Sequence, residues 1–509
     1  MSFKAQNSDP ANSLSDSLAT QSGSRRQSGV PLDVLFSKAK RTGPAGSLAR
    51  SCTSDWQQVQ PGDVFVALDN GEQDGHEDAR DAVARGAIAV ICERLVPVFD
   101  VPVYVVSDSR AAYSELCQAL VGHPSQHVRV IGVVGGVGKS TTIALLESIF
   151  QAAGKDVGVM SGLKTYDGMS RGPAMSATPT PASVADRLAN IDASGCTHAL
   201  LEVSAEMIAE NTLAGVELDT VCMTNLPSAT TGSFPTAQAY RDSQRRTFEL
   251  LAEDGVAILN GDDQECCKLV TEANGPSFLF GMGGQSQIRA EILHQNACEQ
   301  VFLLTVGRQS AAIRTAILGD HHIANCLAAA TTALAHGIEL EAIARGIELI
   351  SSLPGRMQRV DCGQDFPVFV DAARTPAALH STLKTARQIA SGKVICVLGD
   401  QASANSNENA VIQNVVCKMA DVAIVTESLA LVSENWPQRN DSDTETQIAQ
   451  NRQEAIQWAV AAAELGDVVV IAGSSLGPTL AFGAEKTTDV DIARDLLYTR
   501  SESLLRLVA

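Results

Sequence analysis

The segment 131–142, IGVVGGVGKSTT, restricts what this chain can fold into more than any other. The apolar run 128–134 reads as a buried strand, and 139 to about 153 reads as a helix. Between them Gly135, Gly136 and Gly138 let the backbone turn its N–H groups inward. Such a loop, with the helix N-terminus behind it, makes an anion site suited to phosphate. Lys139 would pair with the outer phosphates, and the hydroxyl of Ser140 or Thr141 would sit on Mg²⁺. One position departs from the full pattern, because Val133 stands where the first glycine belongs. The bland alternative is a tight glycine turn with an incidental lysine. The strand–loop–helix setting favours nucleotide binding.

The same alternation runs along the chain. Strands are expected at 63–68, 87–92 and 101–106, with helices at 77–85 and 110–121. After the loop, strands at 157–160, 198–203, 220–224 and 256–259 alternate with helices at 182–193 and 237–252. That order implies a parallel sheet with helices on both faces. Residues 278–318 read as a small antiparallel excursion, and 322–352 as Ala-rich helix. The pattern restarts at Leu353-Pro354-Gly355. Strands at 366–371, 393–398, 422–426 and 468–472 then alternate with helices at 377–390, 408–419 and 453–465. The fold class expected is α/β, in three consecutive domains.

Composition removes several functions. With 38 Lys+Arg against 58 Asp+Glu the formal net charge is −20, the wrong sign for coating a nucleic acid. Aromatics at 4% leave little for stacking single strands. The cysteines form no CxxC pair, so buried thiols in a reducing compartment are expected rather than a zinc site. No run is long enough to span a bilayer. Residues 1–29, rich in Ser, Asn and Gln without an apolar signal region, read as a disordered tail. The expected location is cytoplasmic.

Further segments carry a resemblance. Val59-Gln60-Pro61-Gly62-Asp63, Asp74-Gly75-His76 and Arg85-Gly86-Ala87 come first, then Leu201-Glu202-Val203-Ser204 and Thr224-Asn225-Leu226. Leu259-Asn260-Gly261-Asp262-Asp263, Gly355-Arg356-Met357, and Val370-Asp371 with Thr375-Pro376 complete the series. In this order and spacing they resemble the Mur ligases, specifically their MurE branch, the muramyl-tripeptide synthetases. The resemblance implies a uridine-nucleotide-type domain over 30–125, a central P-loop ATP-binding domain over 126–352 and a Rossmann-like domain over 353–509. It implies ATP and Mg²⁺ as cofactors and a UDP-muramyl peptide as partner. The reaction implied is amide-bond formation, in which a carboxylate is phosphorylated and then attacked by an amino group.

Site residues follow from the same likeness. Ser140 and Glu202 match the holders of one metal; Glu202 also ends a predicted parallel strand, where such sheets bind ligands. Asn325 and Asp371 match positions near adenine and ribose, and Arg356 a phosphate-side arginine. Read without the family, these three are a helix cap, a turn residue and a surface charge. The pair His321-His322 falls where the family has Phe and Asn, and reads as packed or solvated rather than metal-binding.

The departures cluster on the chemistry. Counted without a gap to Tyr240, the family's metal-binding His falls on Thr230, and its carbamylated Lys, holder of a second metal, on Gln244. The family's D-Y-A-H-T-P becomes Asp371-Ala372-Ala373-Arg374-Thr375-Pro376. Its D-N-P-R clamp aligns with Ser428-Leu429-Ala430-Leu431, and its G-K-G-H-E with Gly473-Ser474-Ser475-Leu476-Gly477. Without the arginine no bidentate pair to an incoming carboxylate forms. The expectation is therefore a homologue that keeps ATP and Mg²⁺ but has no intact catalytic set, acting in a non-catalytic or regulatory capacity. The alternatives are an active ligase adding an amino acid to a UDP-muramyl peptide or related carboxylate, and a stand-alone P-loop ATPase or switch.

Overall fold

The alternation of buried strands and helices resolves into three main sheets. The computed structural model describes residues 29–71, 73–226, 234–273, 275–399, 406–426, 444–473, 479–480 and 486–508. Thr230, the segments at 428–431 and 474–477, and the tail through residue 28 lie outside the described residues.

The first sheet has five strands, in the order Lys40–Thr42, Val103–Val105, Ala89–Cys92, Val64–Val66, Cys52–Thr53. All its pairs are parallel except the first. Helix Ser109–Leu120 leads on from it, its start capped by Asp108, which accepts from Ala111 N–H.

The central sheet has eleven strands, with Arg129–Val134 between His198–Glu202 and Leu218–Met223. Both neighbours run parallel to it, and Glu202 pairs in register with Val133. The chain leaves Val134 through the glycine loop and helix Lys139–Ala152, then returns as Val157–Met160 beyond His198–Glu202. The loop therefore opens at the carboxyl edge of the sheet, where strand order changes direction. One face buries Ile143, Leu146, Ile149 and Phe150 with the Ala-rich helix Asp320–Ala335. The other buries Val130, Val134, Leu188 and Met223.

One sequence expectation holds in part and one is corrected here. Residues 278–318 do pair antiparallel from Ile288 onward, as expected, but they continue the central sheet. Ser277–Gly281 pairs parallel with Leu251–Asn260, Ile288–Gln295 follows it, and the hairpins to Gln309–Thr315 extend the same sheet. Phe302, Leu304 and Ile313 share a core with Ile143, so leaving the sheet would expose them. The helix expected over 237–252 stops at Arg245, a 3₁₀ turn carries Arg246–Leu250, and Leu251 already pairs with Leu218.

The third sheet has six strands, in the order Gln358–Val360, Val368–Asp371, Val468–Ala472, Val394–Leu398, Val422–Thr426, Glu445–Ala449. It is parallel apart from its first pair. The edge strand Glu445–Ala449 and the helix Asp489–Val508 went unforeseen in the sequence. Buried Arg452 ties that helix to the sheet, reaching Asp489 Oδ2 at 2.9 Å and Ala472 O at 2.7 Å.

Candidate nucleotide and cation site

The loop's shape depends on two glycines. Gly135 has φ +128 and Gly138 φ +90, a region that L side chains rarely adopt. A Cβ on Gly135 would collide with Thr224 Oγ1, and one on Gly138 with Asn325 Oδ1. Lys139 folds back so that Nζ donates to Gly135 O at 2.8 Å. Two side chains from distant parts of the chain hold the loop's first amides. Asn225 Oδ1 accepts Gly136 N–H and Val137 N–H at 3.0 and 3.1 Å, while its Nδ2 donates to Val137 O at 2.7 Å. Gln244 Oε1 accepts Gly135 N–H at 3.0 Å. Neither contact was foreseen from the sequence.

Beyond the loop, Ser140 Oγ lies 3.0 and 2.9 Å from the two oxygens of Glu202. The register with Val133 puts that carboxylate there. Ser161 Oγ and Gly162 N–H also donate to Glu202 Oε2, at 2.9 and 2.8 Å. A carboxylate beside a hydroxyl at a phosphate loop is the oxygen donor set Mg²⁺ takes. Burial pushes the Lys139 ammonium below its ordinary range, and the carboxylates of Glu202 and Glu206 act against that shift. An anion arriving at the loop would favour the charged form further.

A cleft of about 380 Å³ joins this edge to the third sheet. Gly136, Gly138, Lys139, Ser140, Thr141, Glu202, Asn325, Arg356, Asp371 and Arg374 all line it. Of the candidate nucleotide, metal and degenerate catalytic positions described here, only Gly135 and Gln244 are absent from the lining. Asp371 is buried and fully engaged: Oδ2 accepts Met357 N–H at 2.7 Å, Oδ1 accepts Ala373 N–H at 2.9 Å, and Thr382 Oγ1 donates at 3.2 Å. It thereby fixes the turn from which Arg356 enters the cleft. The two histidines part company. His322 is packed against Thr315 and Cys326, and burial lowers its pKa to about 3. His321 lines the cleft, where burial lowers its pKa against the pull of Asp371 and Asp320.

Residues 133–333 match the Mur ligase middle domain, and residues 355–475 the Mur ligase glutamate ligase domain. The UDP-N-acetylmuramoyl-L-alanyl-D-glutamate–2,6-diaminopimelate ligase of Geobacillus kaustophilus is 33% identical over 436 residues, 82% of this chain and 88% of that protein. The chain belongs to the Mur ligase family. The enzyme of the same name from Listeria monocytogenes is 27% identical over 431 residues, 82% of this chain and 88% of its own. In three dimensions, a solved ligase of that name superposes with TM-score 0.66 at 22% identity, covering 89% of this chain and 96% of its own. The MurF ligase of Thermotoga maritima, solved with ADP, superposes with TM-score 0.61 at 16% identity, over 89% and 98%. Both share the three-domain Mur ligase architecture.

Within that architecture the cation donors divide. Ser140 and Glu202 fit one Mg²⁺. Gln244 offers no seat for a second, because it is neutral, completely buried and bonded to Gly135. Its Nε2 has no hydrogen-bond partner among the described residues. An unpaired buried donor costs about 1–3 kcal/mol.

Proposed function

We propose that this Mur ligase homologue is of the MurE, peptidoglycan-precursor type, binds ATP with Mg²⁺ in the cleft, and has lost the ligation step. One observation carries the nucleotide half: the glycine loop, Lys139 and the Ser140–Glu202 pair open into the same cleft as Asn325, Arg356 and Asp371. In this reading the amides at the start of helix Lys139–Ala152, Lys139 and Arg356 hold phosphates, Ser140 and Glu202 hold Mg²⁺, and Asn325 and Asp371 meet the nucleoside. Bound Mg²⁺ would supply charge neutralisation of the phosphates.

The loss of ligation rests on Gln244 together with Thr230 and the missing arginine clamp at 428–431. A phosphoryl transfer between two anions, short of a cation in a water-poor site, forfeits several kcal/mol of transition-state stabilisation, order of magnitude. A cytoplasmic location accords with the described helices, none of which is long and apolar enough to cross a membrane.

Calorimetry with ATP, with and without Mg²⁺, tests the first half. No binding, or binding that Lys139→Ala leaves unchanged, refutes it. The second half is tested by phosphate release with UDP-muramyl dipeptide and a panel of amino acids. Turnover at ordinary enzyme rates (~1–10³ s⁻¹) would instead establish an active ligase with altered substrates, a reading supported by the preserved nucleotide wall.

A further inference from the structure

We infer that the nucleotide site of this chain seats a single divalent cation, and that Gln244 serves there as a neutral latch on the phosphate loop. The inference rests on the nucleotide-binding reading above and adds to it a cation count and a positioning residue.

Gln244 lies on helix Ala237–Arg245 and is completely buried. Its one oxygen, the only atom it could offer a cation, accepts Gly135 N–H at 3.0 Å. Gly135 holds a positive φ with Thr224 packed against its Cα, so its amide cannot turn to another acceptor without unwinding the start of the loop. Withdrawing Oε1 toward a cation would strand that buried N–H. What Gln244 has left is Nε2, unpaired among the described residues. An amide N–H has no lone pair to offer a cation and presents only the positive end of its dipole.

The cleft carboxylates offer no second seat. Glu202 is shared between Ser140, Ser161 and Gly162, and Asp371 between Met357, Ala373 and Thr382. Among the described residues no group of three or more His, Cys, Asp or Glu side chains is placed to hold a metal. Ser140 with Glu202 is the one pairing of a loop hydroxyl with a carboxylate in the cleft among the described residues.

The test counts cations on the full-length protein. Mn²⁺ is titrated in the presence of saturating AMP-PNP, and free Mn²⁺ is read by electron paramagnetic resonance. One bound Mn²⁺ per bound nucleotide is expected. Two would overturn the inference and leave the nucleotide reading standing; absence of AMP-PNP binding would overturn both. The latch is tested by Gln244→Met, which keeps length and loses the acceptor. It is expected to leave the Mn²⁺ count at one and raise the AMP-PNP Kd by roughly five- to tenfold, the value of one buried neutral hydrogen bond. An unchanged Kd in a folded Gln244→Met variant refutes the latch.

Discussion

Replacing Gly138 by alanine tests whether the loop is shaped by its contact with Asn325. Gly138 is the N-cap of the 14-residue helix Lys139–Ala152 and sits at φ +90. An alanine there carries two separable penalties. The backbone term, for a non-glycine residue at positive φ, is about 1–2 kcal/mol. The steric term arises because the new Cβ would stand 3.2 Å from Asn325 Cγ and nearer still to its Oδ1. Asn325 is buried on helix Asp320–Ala335 and has little room to yield, so a similar ~1–2 kcal/mol is expected from overpacking. Together the terms predict a loss of Mg·ATP affinity of about 30- to 1,000-fold, less whatever appears as lowered thermal stability. The assay is a double-mutant cycle by calorimetry, with melting curves alongside, for Gly138→Ala, Asn325→Ala and the pair. Truncating Asn325 removes the obstructing atoms and leaves the φ strain, so a coupling energy of about 1–2 kcal/mol should favour the pair. Asn325→Ala lowers affinity by itself if it meets the nucleoside, and the cycle subtracts that effect. Strictly additive losses would refute the steric account of the loop.

Ser140→Ala should weaken ATP binding about tenfold with Mg²⁺ present and leave metal-free binding nearly unchanged; equal loss in both conditions contradicts the cation assignment. Asp489→Asn leaves Arg452 buried without its counter-ion and should cost about 3–5 kcal/mol in urea unfolding, more than the double change Arg452→Met/Asp489→Leu. Burial lowers the pKa of His198 to about 3, of His336 to about 4 and of His322 to about 3, all below the ordinary 6.5. Their neutral forms belong to the folded state, so their contribution is complete above pH 6.5 and declines as pH falls toward the folded values, by up to about 1.4 kcal/mol per pH unit for each. His198→Phe, beside Phe150 and His336, should flatten the stability–pH slope below pH 6.5; an unchanged slope tells against the burial of a neutral imidazole.

How far the sequence could be read depended on the range of the interaction. Strands Val157–Met160, Val422–Thr426 and Val468–Ala472 emerge at their predicted limits because a fully buried parallel strand announces itself by an unbroken apolar run. The glycine loop is legible because all its parts are adjacent. Asn225 and Gln244 stand 89 and 109 residues from the amides they hold, and no local pattern records that distance. The helix limit at Arg245 was missed because residues 246–252 keep a helical composition, while pairing with Leu218 decides otherwise. Edge strand Glu445–Ala449 is polar and buries only Ala449 fully, so it lacked the signal its neighbours carry. His321 and His322 could be seen as a pair, but the phase of the helix that sends one to the cleft and one to the core could not.

The cleft's walls belong to different hydrophobic cores: the loop side rests on Ile143 and Ile149, and the Asp371 side on Phe369, Leu379 and Leu383. Whatever fills that space touches both at once and acts as a reversible crosslink between two units that could otherwise melt apart. A ligand of that kind does more than add stability. It raises cooperativity, so that the occupied molecule unfolds in fewer steps than the empty one.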